Sequence, residues 1–145
     1  MRNDSKIRRE NASRTLILVA EDDISSYMYF EVLLKEAGFD ILHAMNGEEA
    51  ISMCRGNPDI SLVLMDLKMP FMDGCEAAKR IREFRQDLPI IAQTAYAFNE
   101  DREKALAAGC TDYISKPIDD RLLMKKICAL VQGGRDPEGF PERGT

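Results

Sequence analysis

Four of the five short apolar runs in this 145-residue chain stop at a residue able to do chemistry. Thr15 to Ala20 stops at the acids Glu21, Asp22 and Asp23, and Leu62 to Met65 stops at Asp66. Pro89 to Gln93 stops at Thr94, and Asp112 to Ser115 stops at Lys116. Three carboxylates brought together repel one another unless a hard cation sits among them, and an all-oxygen set of this kind suits Mg²⁺ rather than zinc. Such a cation keeps Asp66 ionised, while the Lys116 ammonium and the Thr94 hydroxyl are suited to hold two oxygens of a phosphoryl group. This set suffices for attack of an Asp carboxylate on phosphorus to give an acyl phosphate. Asp66 is the candidate nucleophile. Each signal alone is weak: Asp22 or Asp23 could simply cap the next helix, a Lys-Pro pair makes turns, and a Thr at a strand end is commonly a solvated hydroxyl.

The elements that must position these residues follow from periodicity. Thr15 to Ala20, Asp40 to Ala44, Leu62 to Asp66, Pro89 to Thr94 and Asp112 to Ser115 read as short buried strands. Helices are expected between and after them. The first runs from Ile24 to Ala37 and is stopped by Gly38; the second is capped by Asn46 and ended by Gly56, Asn57 and Pro58. A third runs from Gly74 to Arg85, a fourth from about Glu100 to Ala108 before Gly109, and a fifth from Asp119 to Val131 with a broad apolar face. Strands alternating with helices give an α/β fold, a doubly wound parallel sheet, because parallel neighbours need right-handed crossover helices. Its ligands collect in the crevice outside the carboxyl ends of the strands, where all the reactive residues fall.

Composition narrows the function. A net charge of −5 offers no footprint for nucleic acid, and no apolar run approaches the length of a membrane helix, so contact with either by this chain is not expected. The charged start of the chain lacks the apolar core of a signal peptide, which points to a soluble, cytoplasmic domain. Cys54, Cys75, Cys110 and Cys128 have no CxxC spacing and read as buried thiols. His43, the lone histidine, reads as an ordinary residue ending the second strand. Residues 1–14 read as a flexible leader or linker remnant, 15–131 as one folded domain, and 132–145 as a disordered tail or linker.

The segments LVAEDD (Leu18 to Asp23), MDLKMPFMDG (Met65 to Gly74), QTAYA (Gln93 to Ala97) and DYISKPI (Asp112 to Ile118) resemble the receiver domain of two-component response regulators. The resemblance covers about Thr15 to Val131. It implies the flavodoxin-like (βα)5 arrangement with strand order 2-1-3-4-5. It further implies an acidic pair at Glu21 and Asp22, a phosphoacceptor at Asp66, a hydroxyl switch at Thr94, an aromatic switch at Tyr113, the lysine at Lys116, and the backbone carbonyl of Lys68 as a further Mg²⁺ ligand. The stretch PIIAQTAYAFNEDREKALAAGCTDYISKPI is most similar to receivers of hybrid sensor histidine kinases, whose parent proteins can be membrane-anchored. The partner so implied is a histidine kinase or histidine phosphotransfer domain, with a second copy of the chain a candidate for a homodimer. The Lys68 side chain beside the site, and Tyr96 two residues past Thr94, occupy positions that in this family tune loss of the phosphoryl group.

Other functions can be weighed against the same residues. A Mg²⁺-dependent phosphohydrolase with an aspartate nucleophile ordinarily has a second acid two residues on, and here that place is Lys68. A flavin-binding domain of this fold would have a hydroxyl- or Gly-rich phosphate loop after the first strand, where this chain has acids. An inert interaction module would not need the complete reactive set.

Overall fold

The computed structural model describes residues 14–95 and 99–131. The expectations for the leader, the tail and Tyr96 fall outside those residues, apart from Arg14, whose guanidinium lies 3.0 Å from Asp40. Five parallel strands, β1 (Leu16–Ala20), β2 (Asp40–Ala44), β3 (Ile60–Asp66), β4 (Ile90–Thr94) and β5 (Asp112–Ser115), form one sheet in the order β2-β1-β3-β4-β5. The helices are α1 (Ile24–Glu36), α2 (Gly47–Gly56), α3 (Gly74–Phe84), α4 (Asn99–Ala107) and α5 (Asp120–Leu130). This is the flavodoxin-like arrangement that the sequence implies.

Alternation along the strands divides the core into two layers. Leu18, Val63, Met65, Ile90 and Ala92 pack with α2, α3 and α4 through Ala50, Cys54, Ala77, Ile81 and Ala105. Ile17, Val19, Leu62, Leu64, Ile91 and Ile114 face the other way, onto Phe30 and Leu34 of α1 and Leu123, Met124 and Ile127 of α5. Each strand is therefore apolar on both faces, as a doubly covered parallel sheet requires.

The element ends differ from the sequence expectation by one or two residues for physical reasons. β3 begins at Ile60, whose N–H donates to the Asn57 carbonyl, and β4 begins after Pro89, which has no N–H to give a ladder. Asp119 lies outside α5 as its N-cap, accepting from the N–H groups of Arg121 and Leu122. Asp23, Asn46 and Asp73 cap α1, α2 and α3 in the same way, each cap contributing about 1 kcal/mol. Gly38 and Gly109 take positive φ values of 94° and 105° just past α1 and α4, as helix stops do. The expectation of four buried thiols needs correction at one position: Cys54, Cys110 and Cys128 are buried, but Cys75, in the first turn of α3, is only half-buried and faces the carbonyl of Lys104. No helix among the described residues is long and apolar enough to cross a membrane.

Candidate functional site

β1 and β3 are hydrogen-bonded neighbours with Ala20 opposite Met65, so the residues that follow each, Glu21 and Asp66, emerge side by side. Carboxylate oxygens of Glu21, Asp22 and Asp66 all lie within 4.8 Å of one another. β4 lies on the far side of β3 and β5 beyond it; the Lys116 N–H donates to the Thr94 carbonyl at 2.9 Å, which locks the two strand ends together. The Lys116 ammonium comes to 3.5 Å from Asp66 Oδ1. Glu21, Asp22, Asp66, Thr94 and Lys116, distant in the sequence, thus meet at one sheet edge.

The acids divide their roles. Asp23 is the helix cap: its Oδ2 accepts from the N–H and the hydroxyl of Ser26, both at 2.9 Å, which holds its carboxyl below the usual range. Asp22 is left for the cleft. Glu21 is 1 % exposed; one of its oxygens accepts from the Asp23 N–H at 3.1 Å, and Oε1 is buried without a hydrogen-bond partner. Burial, with the neighbouring charge of Asp66, pushes its carboxyl up to about 7. Asp66 is 3 % exposed, and its Oδ1 accepts from the N–H of Lys68 at 3.0 Å. A buried, unpartnered carboxylate oxygen beside two further acids is the chemistry of a hard-cation site, and its all-oxygen donors fit Mg²⁺.

Behind the acids the loop is held rigidly. Gly74 closes it with an N–H donated to the Leu67 carbonyl, and a Cβ at Gly74 would fall 2.4 Å from the Asp66 carbonyl oxygen and 2.9 Å from Leu67 Cα. Only glycine lets α3 start this close to the end of β3. A cleft of about 360 Å³ lies beside it, lined by Lys68, Met69, Thr94 and Ala95 among others.

Thr94 is buried, whereas the Lys68 side chain is exposed. Tyr113 sits on β5 opposite Ala92 of β4 and packs into the core layer under α4. Its ring lies 5.9 Å from the Arg102 guanidinium and 5.5 Å from the Lys126 ammonium. Lys126 also pairs with Asp112 at 3.0 Å.

Two further residues bear on the site, His43 in a role its sequence position does not show and Gln93 without any sequence signal. His43 stacks on Tyr27 with ring centroids 3.6 Å apart, and its Nε2 lies 2.8 Å from the Glu21 carbonyl oxygen, bracing the backbone of that acid. Gln93, in register with Asp66, is 1 % exposed, and its amide finds no hydrogen-bond partner among the described residues. Neither could be located from spacing, since each depends on which strands lie side by side.

Comparison with known proteins gives a consistent set of matches. The family described as "Response regulator receiver domain" matches residues 17–128. A Dictyostelium discoideum protein, "Hybrid signal transduction histidine kinase I", is 37 % identical over 138 residues, covering 87 % of this chain but 8 % of its own length. "Sensor histidine kinase GacS" of Pseudomonas protegens is 32 % identical over 88 % of this chain and 15 % of its own length. The chain thus spans only a small part of these relatives. Among solved structures, the receiver domain of yeast Ssk1, crystallised with the histidine phosphotransfer protein Ypd1, is 31 % identical with a TM-score of 0.76, over 81 % of this chain and 88 % of that one. The receiver domain of sensor histidine kinase PA1611 of Pseudomonas aeruginosa, crystallised with magnesium in its active-site cleft, is 30 % identical with a TM-score of 0.75, over 81 % and 98 %.

Proposed function

The chain belongs to the response regulator receiver domain family, and from that premise we propose that it takes a phosphoryl group from a phosphohistidine onto Asp66 and hands on the signal by changing a partner-binding face. Receiver domains are signalling domains rather than enzymes with a turnover of their own, and the reactive groups here suit a single reversible transfer. The observation that carries the reading is the Lys116 ammonium 3.5 Å from Asp66 Oδ1, on the same sheet edge as two further acids.

An Asp66 oxygen attacks phosphorus, the new O–P bond forms as the P–N bond to the donor imidazole breaks, and that nitrogen takes up a proton from solvent. Mg²⁺ held by Glu21, Asp22, Asp66 and the backbone carbonyl of Lys68 would neutralise the acids and the phosphoryl oxygens. Lys116 would then exchange its contact with Asp66 for one phosphoryl oxygen, and the Thr94 hydroxyl would take another. Drawing Thr94 inward leaves room for Tyr113 to turn in, away from Arg102 and Lys126, which shifts the surface of α4, β5 and α5. The exposed Lys68 side chain is placed to tune loss of the phosphoryl group.

The donor is a histidine kinase or a histidine phosphotransfer domain. Ile24, Met28 and Val32, all more than half exposed, form an apolar stripe along α1, which starts at the cleft, and suit a helical partner. The similarity to kinases many times longer supports a receiver region, about residues 15–131, within a cytoplasmic part of a hybrid sensor histidine kinase. A phosphohydrolase reading is disfavoured by Lys68, which stands where a general acid would be needed.

Incubation with acetyl phosphate and Mg²⁺, followed by intact mass, tests the reading. Wild type is expected to gain one phosphoryl group and Asp66→Asn none, with EDTA preventing the gain. Equal uptake by both forms would overturn it.

A further inference from the structure

Phe71 lies in the loop leaving the acceptor strand and is the most exposed large hydrophobic residue among those described, at 93 %. Its φ is +72°, and the Met72 N–H donates to the Pro70 carbonyl at 2.8 Å across it. A hydrogen bond over a single residue at positive φ is a strained γ-turn, rare for any residue and least suited to a bulky one. The aromatic ring gains nothing from burial, and the backbone is held where glycine or asparagine would sit more easily. Among the described residues, nothing covers the ring, and the backbone cost is carried by the anchoring on either side of it.

The rest of the loop is firmly anchored. Met69 is buried, Met72 packs against the core layer under α2 and α3, Asp73 caps α3, and the Gly74 N–H closes the loop onto Leu67. Phe71 is therefore presented outward on a short rigid arch that begins at the Asp66 carboxylate, to which Lys68 donates its N–H. A large, preordered aromatic that loses little entropy on contact is the usual anchor of a protein interface.

From this geometry, and resting on the phosphohistidine reading above, we infer that Phe71 is a specificity-determining anchor for the protein phosphodonor, received in an apolar pocket beside the donor's phosphohistidine. Asp66 is 3 % exposed, so a donor must reach in from the lip, and its surrounding surface then covers the loops that form that lip. The α1 stripe of Ile24, Met28 and Val32 starts from the same lip and continues the apolar surface. Glu48, Glu49 and Asp73 are exposed at the helix starts on this edge and Lys68 is exposed on the arch itself, so the donor surface around the apolar pocket meets a rim of mixed charge.

The test compares a small donor with protein donors. Wild type, Phe71→Ala, Phe71→Gly and Phe71→Trp are phosphorylated by acetyl phosphate and, separately, by a panel of phosphorylated histidine phosphotransfer proteins that includes yeast Ypd1. With the fastest protein donor, Ala and Gly are expected to lower the second-order rate about tenfold or more, and Trp to retain most of it. Their acetyl phosphate rates stay at the wild-type value, and Phe71→Gly melts no lower than wild type. Unchanged transfer from the protein donor in Phe71→Ala, or equal losses with both donors, would overturn the inference. So would a wild type that accepts phosphate from acetyl phosphate but from no protein in the panel. Failure of wild type with acetyl phosphate would instead refute the phosphoacceptor reading itself.

Discussion

Replacing Glu21 by glutamine is expected to stabilise the metal-free protein at alkaline pH and to remove its response to magnesium. Burial and the charge of Asp66 raise the Glu21 carboxyl from an ordinary 4.5 to about 7, so the folded state holds this proton more tightly than the unfolded chain. Stability therefore falls as pH rises from about 4.5 to about 7, and the full penalty is present above 7. Each pH unit in that window corresponds to about 1.4 kcal/mol, which sets a ceiling of about 3 kcal/mol, and an effect on the order of 1–2 kcal/mol is expected. Glutamine keeps an oxygen to accept from the Asp23 N–H and carries no charge. Urea titrations of both proteins in EDTA at pH 8.5 should place Glu21→Gln above wild type by that amount, with the gap closing towards pH 5. Mg²⁺ then reverses the order, because a ligand at a hundred times its Kd adds about 2.7 kcal/mol to the folded form that binds it. A Glu21→Gln protein no more stable than wild type at pH 8.5 in EDTA would refute the electrostatic reasoning, and an equal magnesium response in both would refute the ligand assignment.

Two further perturbations follow from close packing and from a buried amide. Gly74→Ala places a methyl 2.4 Å from the Asp66 carbonyl oxygen and 2.9 Å from Leu67 Cα, both backbone atoms, so a loss of roughly 2–3 kcal/mol is expected in urea, together with slower uptake from acetyl phosphate. Gln93→Leu removes a buried, unpartnered amide and should raise stability by about 1 kcal/mol; a lower denaturation midpoint would mean that the amide has a partner in solution.

The strands and the reactive residues at their ends were legible because a sheet covered on both faces demands unbroken apolar runs, and each run here is short and sharply stopped. The acids at the first strand were not separable by type: Asp22 and Asp23 are alike until α1 forms, when Asp23 takes the cap by accepting from Ser26 and leaves Asp22 to the cleft. His43 could not be tied to Glu21 before β1 and β2 were known to be neighbours. Cys75 departs from the buried thiol expected of it because its turn of α3 opens on the cleft beside Lys104. Phe71 is one residue of the segment MDLKMPFMDG, and nothing in its type marks the positive φ that it takes between the anchored Met69 and Met72. Local pattern reports what a segment buries, while the strain and pairing that sharpen a site come from contacts between segments.

The most direct measurement is chemical mapping of the phosphorylated side chain. Borohydride reduces an acyl phosphate on aspartate to homoserine, which peptide mass spectrometry locates. After treatment with acetyl phosphate and Mg²⁺, homoserine is expected at position 66, and at no position when the donor is omitted. Homoserine at position 22 instead, or a phosphorylated protein with aspartate intact at 66, would contradict the assignment of Asp66 as the acceptor.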